Sequence, residues 1–154
     1  TGRPVATLLN PRLYFRVKSH EMKVYVFGNE DVKYDRRAFE VVEQLKAAWS
    51  TINFIRVKPN EDLPFTDLED VVIMDVILGL AQTNIIQDVQ LSNMMLGHRS
   101  SVHDFDVGFQ LKYLKKLGKL GRVTIIGLPT TGKINYNLIH STLRKLVAQD
   151  MQGS

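Results

Sequence analysis

Asp75, Asp35 and His103 are the residues of this chain whose types and placement could do chemistry together. Asp75 follows Val71-Val72-Ile73-Met74 without a break and leads into Val76-Ile77-Leu78. A carboxylate in such a run belongs at the carboxyl end of a buried strand, where open α/β sheets place their ligands. Asp35 comes after the first strand-like stretch and directly before a helical one, and His103 stands just before another. Gathered at one sheet rim, two carboxylates and an imidazole make a metal-type site whose donors suit nickel or zinc among others.

Each of the three also has a purely structural role open to it. Asp35 stands where a helix N-cap would stand, accepting a backbone N–H bond worth ~1 kcal/mol and facing the positive end of the helix dipole. Asp75 could be satisfied by loop amides at its strand end, since a lone buried carboxylate is otherwise strongly unfavourable. His103 could cap the helix that it opens. His20, His98 and His140 have no carboxylate context, and His140 falls inside the last helical pattern.

The elements that must position these residues alternate along the chain. Lys23–Phe27 reads as a first strand, broken by Gly28-Asn29. From Arg36 to Trp49, the residues Ala38, Val41, Val42, Leu45 and Trp49 recur at helical spacing. Ile52–Val57 is a second strand, Val71–Asp75 a buried third, and Ile85–Leu91 a fourth nearer an edge. His103 and Asp104 introduce a helix with the inner stripe Val107, Leu111, Leu114 and Leu117, which Gly118 and Gly121 should close. Arg122–Gly127 is a fifth strand, and a last helix carries Leu138, Ile139, Leu143, Leu146 and Val147. Such alternation predicts a three-layer α/β domain, an open and largely parallel sheet of about five strands with helices on both faces. In a parallel sheet the positions of Asp35, Asp75 and His103 all lie on the carboxyl side.

Gly127-Leu128-Pro129-Thr130-Thr131-Gly132-Lys133 matches most of a phosphate-binding loop. The next position should supply a hydroxyl for magnesium and is Ile134, and Pro129 removes a backbone donor. The stretch reads as a strand-to-helix connection, and no nucleotide is expected.

Composition narrows the function classes. The chain has 154 residues, enough for one domain with a real core, and no cysteine, which excludes disulfides and thiolate catalysis. A cytoplasmic location is the default, and no run approaches a membrane span. The formal charge of +4 does not point to nucleic acid, because residues 1–21 hold +3 of it. Lys112, Lys115, Lys116 and Lys119 read as the solvated face of a helix. Residues 1–21 contain Pro4 and Pro11 and show no clear period, whereas Met22 leads straight into a strand. They are expected to be a leader or extension outside the core, with a single domain over residues 22–150.

In order and spacing, residues 22–148 resemble the maturation endopeptidases of nickel–iron hydrogenases. That family opens with a strand, Gly-Asn, a short loop, an acidic residue and a helix, matched here by Val24-Tyr25-Val26-Phe27-Gly28-Asn29, Asp35 and the helix through Leu45. An apolar strand ending in aspartate follows, Val71 to Asp75 here. Then come a histidine before a helix, His103, and a strand ending in Gly-x-x-Pro or similar, here Val123 to Pro129. The resemblance implies an α/β peptidase-like domain that recognises the metallated large-subunit precursor and removes its C-terminal extension. It makes Asp35, Asp75 and His103 the metal-contacting and catalytic residues, with Gly28 and Asn29 in substrate binding. The nickel would be held mainly by the substrate precursor, and a monomer is expected. The chain departs from the pattern at Val26 and Ala38, where glycine is usual, and at Tyr34-Asp35, where two acidic residues are common. Val57-Lys58-Pro59-Asn60 also replaces an Asp-Gly-Gly-type loop after strand two, so an active peptidase and a degenerate member both fit. Two rivals stand beside this reading. One is a receiver-like domain with Asp75 as phosphoacceptor and Glu30 and Asp31 nearby, and the other is a non-catalytic maturation chaperone of the same fold.

Overall fold

The computed structural model describes residues 21–58, 64–65, 69–87 and 120–152. Along these, the chain forms β1 (Met22–Phe27), α1 (Arg36–Ala48), β2 (Ile52–Val57), β3 (Glu69–Val76), β4 (Asn84–Gln87), β5 (Leu120–Leu128) and α2 (Tyr136–Gln152). The leader expected over residues 1–21 and the helix expected from His103 to Leu117 lie outside the described residues.

One sheet takes all five strands in the order β2-β1-β3-β5-β4. β1, β2, β3 and β5 are mutually parallel, and β4 runs antiparallel to β5. The architecture is thus the α/β, largely parallel sheet read from the sequence, with one antiparallel edge. Two strands extend beyond their expected ends because pairing continues. Val76 pairs with Leu128, which places Asp75 one residue inside β3, and Glu69 pairs with Leu120. Gly121, expected to close a helix, is therefore part of β5.

Strand alternation sorts the core into two clusters. On one face, Met22, Val24 and Val26 of β1 meet Val72, Met74 and Val76 of β3, and Ile126 and Leu128 of β5. Both described helices cover this face, α1 through Ala38, Phe39, Val41, Val42 and Leu45, and α2 through Ile139 and Leu143. A fully buried aliphatic side chain of this kind contributes ~1.5–3 kcal/mol. The helices also meet at a polar pair. Trp49, which follows α1, stacks on His140 of α2 with ring centroids 6.2 Å apart, and its Nε1 donates to His140 Nδ1 at 2.9 Å. That bond fixes the imidazole tautomer, leaving Nδ1 as the acceptor. Asn135 caps α2, its Oδ1 accepting from Leu138 N at 3.0 Å, while its own N–H donates to the buried Thr83 hydroxyl at 3.0 Å.

The opposite face carries Tyr25, Phe27, Val57, Val71, Ile73, Ile77, Ile86, Val123 and Ile125. Tyr25 packs edge-on against Phe65, with centroids 4.9 Å apart, and donates its hydroxyl to Glu69 at 2.8 Å. Burial first, then the Glu69 hydrogen bond and charge, push its phenol well above the ordinary value of 10.0. Folded Tyr25 holds its proton longer than unfolded Tyr25, so the associated stability is complete below 10.0 and is lost as pH rises above it. We expect denaturation midpoints of the wild-type protein to fall more steeply through that alkaline range than those of Tyr25→Phe. Parallel alkaline slopes for the two proteins would contradict this.

Candidate functional site

The strand order places a switch point between β1 and β3. From β1 the chain passes by α1 to β2 on one side, and from β2 it crosses to β3 on the other. The crevice outside the carboxyl ends of such a strand pair is the usual ligand position in open α/β sheets. Asp75 is at the end of β3, 4% exposed, with Gly127 as its partner on β5. On the other side β3 is in register with β1 through Val26 and Met74, so Asp75 comes level with Phe27, just before Gly28. By alternation Asp75 faces the Tyr25–Phe27 side of the sheet, along with Ile73 and Ile77.

Asp35 occupies the position before α1, but its side chain makes no cap hydrogen bond to that helix. Instead Oδ2 turns back and accepts from the backbone N–H of Asn29 at 2.9 Å. The intervening loop is wound tightly, with Val32 N donating to Asn29 O and Asp35 N to Val32 O, each at 3.0 Å. Asn29 Oδ1 takes the N–H of Asp31 at 2.9 Å. Gly28 lets the carboxylate sit close, because a β-carbon there would stand 3.3 Å from Asp35 O and 3.5 Å from Asp35 Cβ.

This arrangement buries Asp35 to 2% exposure and leaves its Oδ1 accepting no hydrogen bond. A buried acceptor without a donor is destabilising by ~1–3 kcal/mol, and this one lies where an open α/β sheet usually takes its ligands. The Oδ1 atom of Asp75 also accepts none, although other atoms of that residue are engaged. Gly28, Asn29 and Asp35 therefore form one contact unit, and Asp75 shares its rim. His103 lies outside the described residues, and among those residues no group of three histidine, cysteine, aspartate or glutamate side chains gathers for a metal.

Two arginines at this rim escaped the sequence reading. Arg37 reaches across to the loop after β5, where Nη1 donates to Pro129 O at 3.0 Å and Nη2 to Gly132 O. The phosphate-loop look-alike thus turns two carbonyls toward a guanidinium. A clue was present, since Arg36 and Arg37 place two cations in the first turn of α1, against the helix dipole. Arg56 of β2 lies 4.2 Å above the Phe39 ring and pairs with Glu30. That pairing occupies one of the two acids that a receiver domain would keep beside its phosphoacceptor. The sheet order also departs from the 2-1-3-4-5 order of that class, because β5 and not β4 adjoins β3. The receiver-like reading is therefore set aside.

In comparisons with known proteins, no family model and no curated protein matches this chain. Solved structures do. The hydrogenase maturating endopeptidase HybD from Escherichia coli superposes with a TM-score of 0.59 at 13% identity, over 86% of this chain and 94% of that one. The solution structure of an endopeptidase from Escherichia coli gives 0.54 at 17% identity, over 70% and 74%. At these identities the likeness is one of fold. No described helix is long and apolar enough to cross a membrane.

Proposed function

We propose that this protein is a maturation endopeptidase of the hydrogenase type, one that recognises a metallated hydrogenase large-subunit precursor and removes its C-terminal extension. The observation that carries the proposal is the carboxylate of Asp35. It declines the helix cap, turns to the sheet rim and keeps a buried oxygen without a donor. The fold shared with two endopeptidases supports the same reading.

The nickel belongs to the substrate in this scheme. Asp35 and Asp75 supply hard oxygen donors and His103 an imidazole, a set that suits nickel. Recognition comes first: only a precursor already carrying its metal brings a cation to the rim-facing carboxylate of Asp35, so cleavage waits for metal insertion. The reaction adds water across one peptide bond, hydroxyl to the acyl carbon and proton to the departing amine. A carboxylate at the rim is placed to take the proton from that water and return it to the amine. Gly28 and Asn29 hold Asp35 in place, Asn29 through its backbone N–H.

The test is incubation of the protein with nickel-loaded and nickel-free precursor, read by gel and by intact mass. We expect shortening of the loaded form alone. The sequence after β2, Lys58-Pro59-Asn60 where the family carries an Asp-Gly-Gly-type loop, favours a second reading as a non-cleaving chaperone. In that case the precursor would be bound and keep its length. A precursor neither bound nor cut would remove both readings.

A further inference from the structure

The geometry points to Arg37 as a positioning residue that walls the candidate site on its helix side, an inference that rests on the maturation reading above. In the strand order, β3 lies between β1 and β5. Arg37 enters from the first turn after β1, two residues beyond Asp35, and its guanidinium holds Pro129 O and Gly132 O in the loop after β5. The contact therefore joins the segments that follow the two strands flanking β3, at the end of the sheet where Asp75 lies. It does so on the face covered by α1 and α2, whereas Asp75 is directed to the other face.

The contact is built for holding a loop. Both acceptors are neutral backbone carbonyls, and the fork of the guanidinium fixes two of them at once. Gly132 takes φ +88°, a left-handed conformation open to glycine, and no other atom lies within 4 Å of where its β-carbon would be. The loop bows into solvent and is fastened at its base. Thr131, between the two fastened carbonyls, and Lys133, just beyond the second, are exposed. With this side closed, an extended peptide segment enters the crevice from the rim and from the Asp75 side, and the fastened loop forms the wall against which it is aligned.

Two variants test the wall from its two ends. Arg37→Met keeps the aliphatic stem and removes the donors. Gly132→Ala adds a methyl group into open space and challenges only the left-handed backbone that aims the carbonyl. Tryptic cleavage after Lys133, located by mass, is expected to accelerate about 5-fold in each, the factor equivalent to one net hydrogen bond. On nickel-loaded precursor, KM should rise about tenfold while kcat stays within about a factor of two, the pattern of lost binding alignment with intact chemistry. Trp49→Phe, which weakens the far end of α1, serves as the control for simple destabilisation and should leave KM unchanged. Unchanged cleavage after Lys133 in Arg37→Met would show that the guanidinium does not hold the loop. A loosened loop with an unchanged KM would show that the wall does not align substrate. If the wild-type protein itself leaves the precursor uncut, the endopeptidase reading fails, and the alignment role fails with it.

Discussion

Asp35→Asn is expected to lower processing of the nickel-loaded precursor by about 100-fold or more, the range supplied by positioned acid–base and charged groups. The substitution keeps the shape of the side chain and an oxygen for the Asn29 N–H, and it replaces the charged carboxylate by a neutral amide whose NH2 group takes the place of Oδ1. Because Asp35 makes no cap bond to α1, the helix loses no hydrogen bond by the change, only the favourable charge at its N-terminus. Folded stability should accordingly move by no more than ~1 kcal/mol, one ordinary hydrogen bond. Asp35→Ala provides the contrast: it strips the acceptor from Asn29 N–H and should reduce stability by ~1–3 kcal/mol as well as activity. Asp75→Asn should follow Asp35→Asn in processing. Thermal melts alongside the precursor assay separate these effects. Wild-type processing by Asp35→Asn would reduce the residue to a brace for the Gly28–Asn29 turn.

Gly28→Ala is expected to be the next most damaging change for processing, and for a different reason. The left-handed glycines among the described residues are Gly79 and Gly132, so Gly28 is not required by backbone conformation. What it provides is space. An added β-carbon would meet Asp35 O and Phe39 Cζ, both at 3.3 Å, closer than ordinary contact, so a neighbour must give by a few tenths of an ångström. Phe39 is a buried core residue beneath Arg56, and the Asp35 carbonyl accepts from Ala38 N at 3.2 Å, so neither neighbour yields freely and the strain reaches Asp35. Overpacking of this kind destabilises by ~1–3 kcal/mol. Since a displacement of about 1 Å can lower a rate ~100-fold, a smaller shift of Asp35 should lower processing roughly tenfold. The effect should appear in kcat over KM even at temperatures where the variant is fully folded. An unaffected rate with a lowered melting point would place Gly28 in packing alone.

Much of the fold could be read along the chain, because its signals are local. The stripe Ala38, Val41, Val42 and Leu45 repeats at the helical period, and these are the residues that α1 buries. Val71 to Met74 form a run without a polar break, which is what a strand covered on both faces requires. Ile52–Val57 has the limits expected of it, since its ends coincide with turn-forming and polar residues. Strand ends were less legible where pairing outlasts the apolar run. Val76 and Gly121 belong to strands because of partners opposite them, which are not coded in their neighbours.

The site divides in the same way. That Asp75 is buried near the end of a strand, and that Asp35 follows a Gly-Asn break, was determined by sequence alone, because hydrophobic period and chain breaks act within a few residues. Which way Asp35 turns was decided only by the folded arrangement. A cap and a rim-facing carboxylate call for the same residue at the same position, and only the close approach of Gly28 and the Asn29 N–H selects the second. The partners of Arg37 lie 92 and 95 residues away, and the antiparallel entry of β4 beside β5 pairs residues that are also far apart in the chain, Asn84 with Gly127 and Gln87 with Thr124. Contacts over such separations form where packed layers bring surfaces together, and no local pattern carries them.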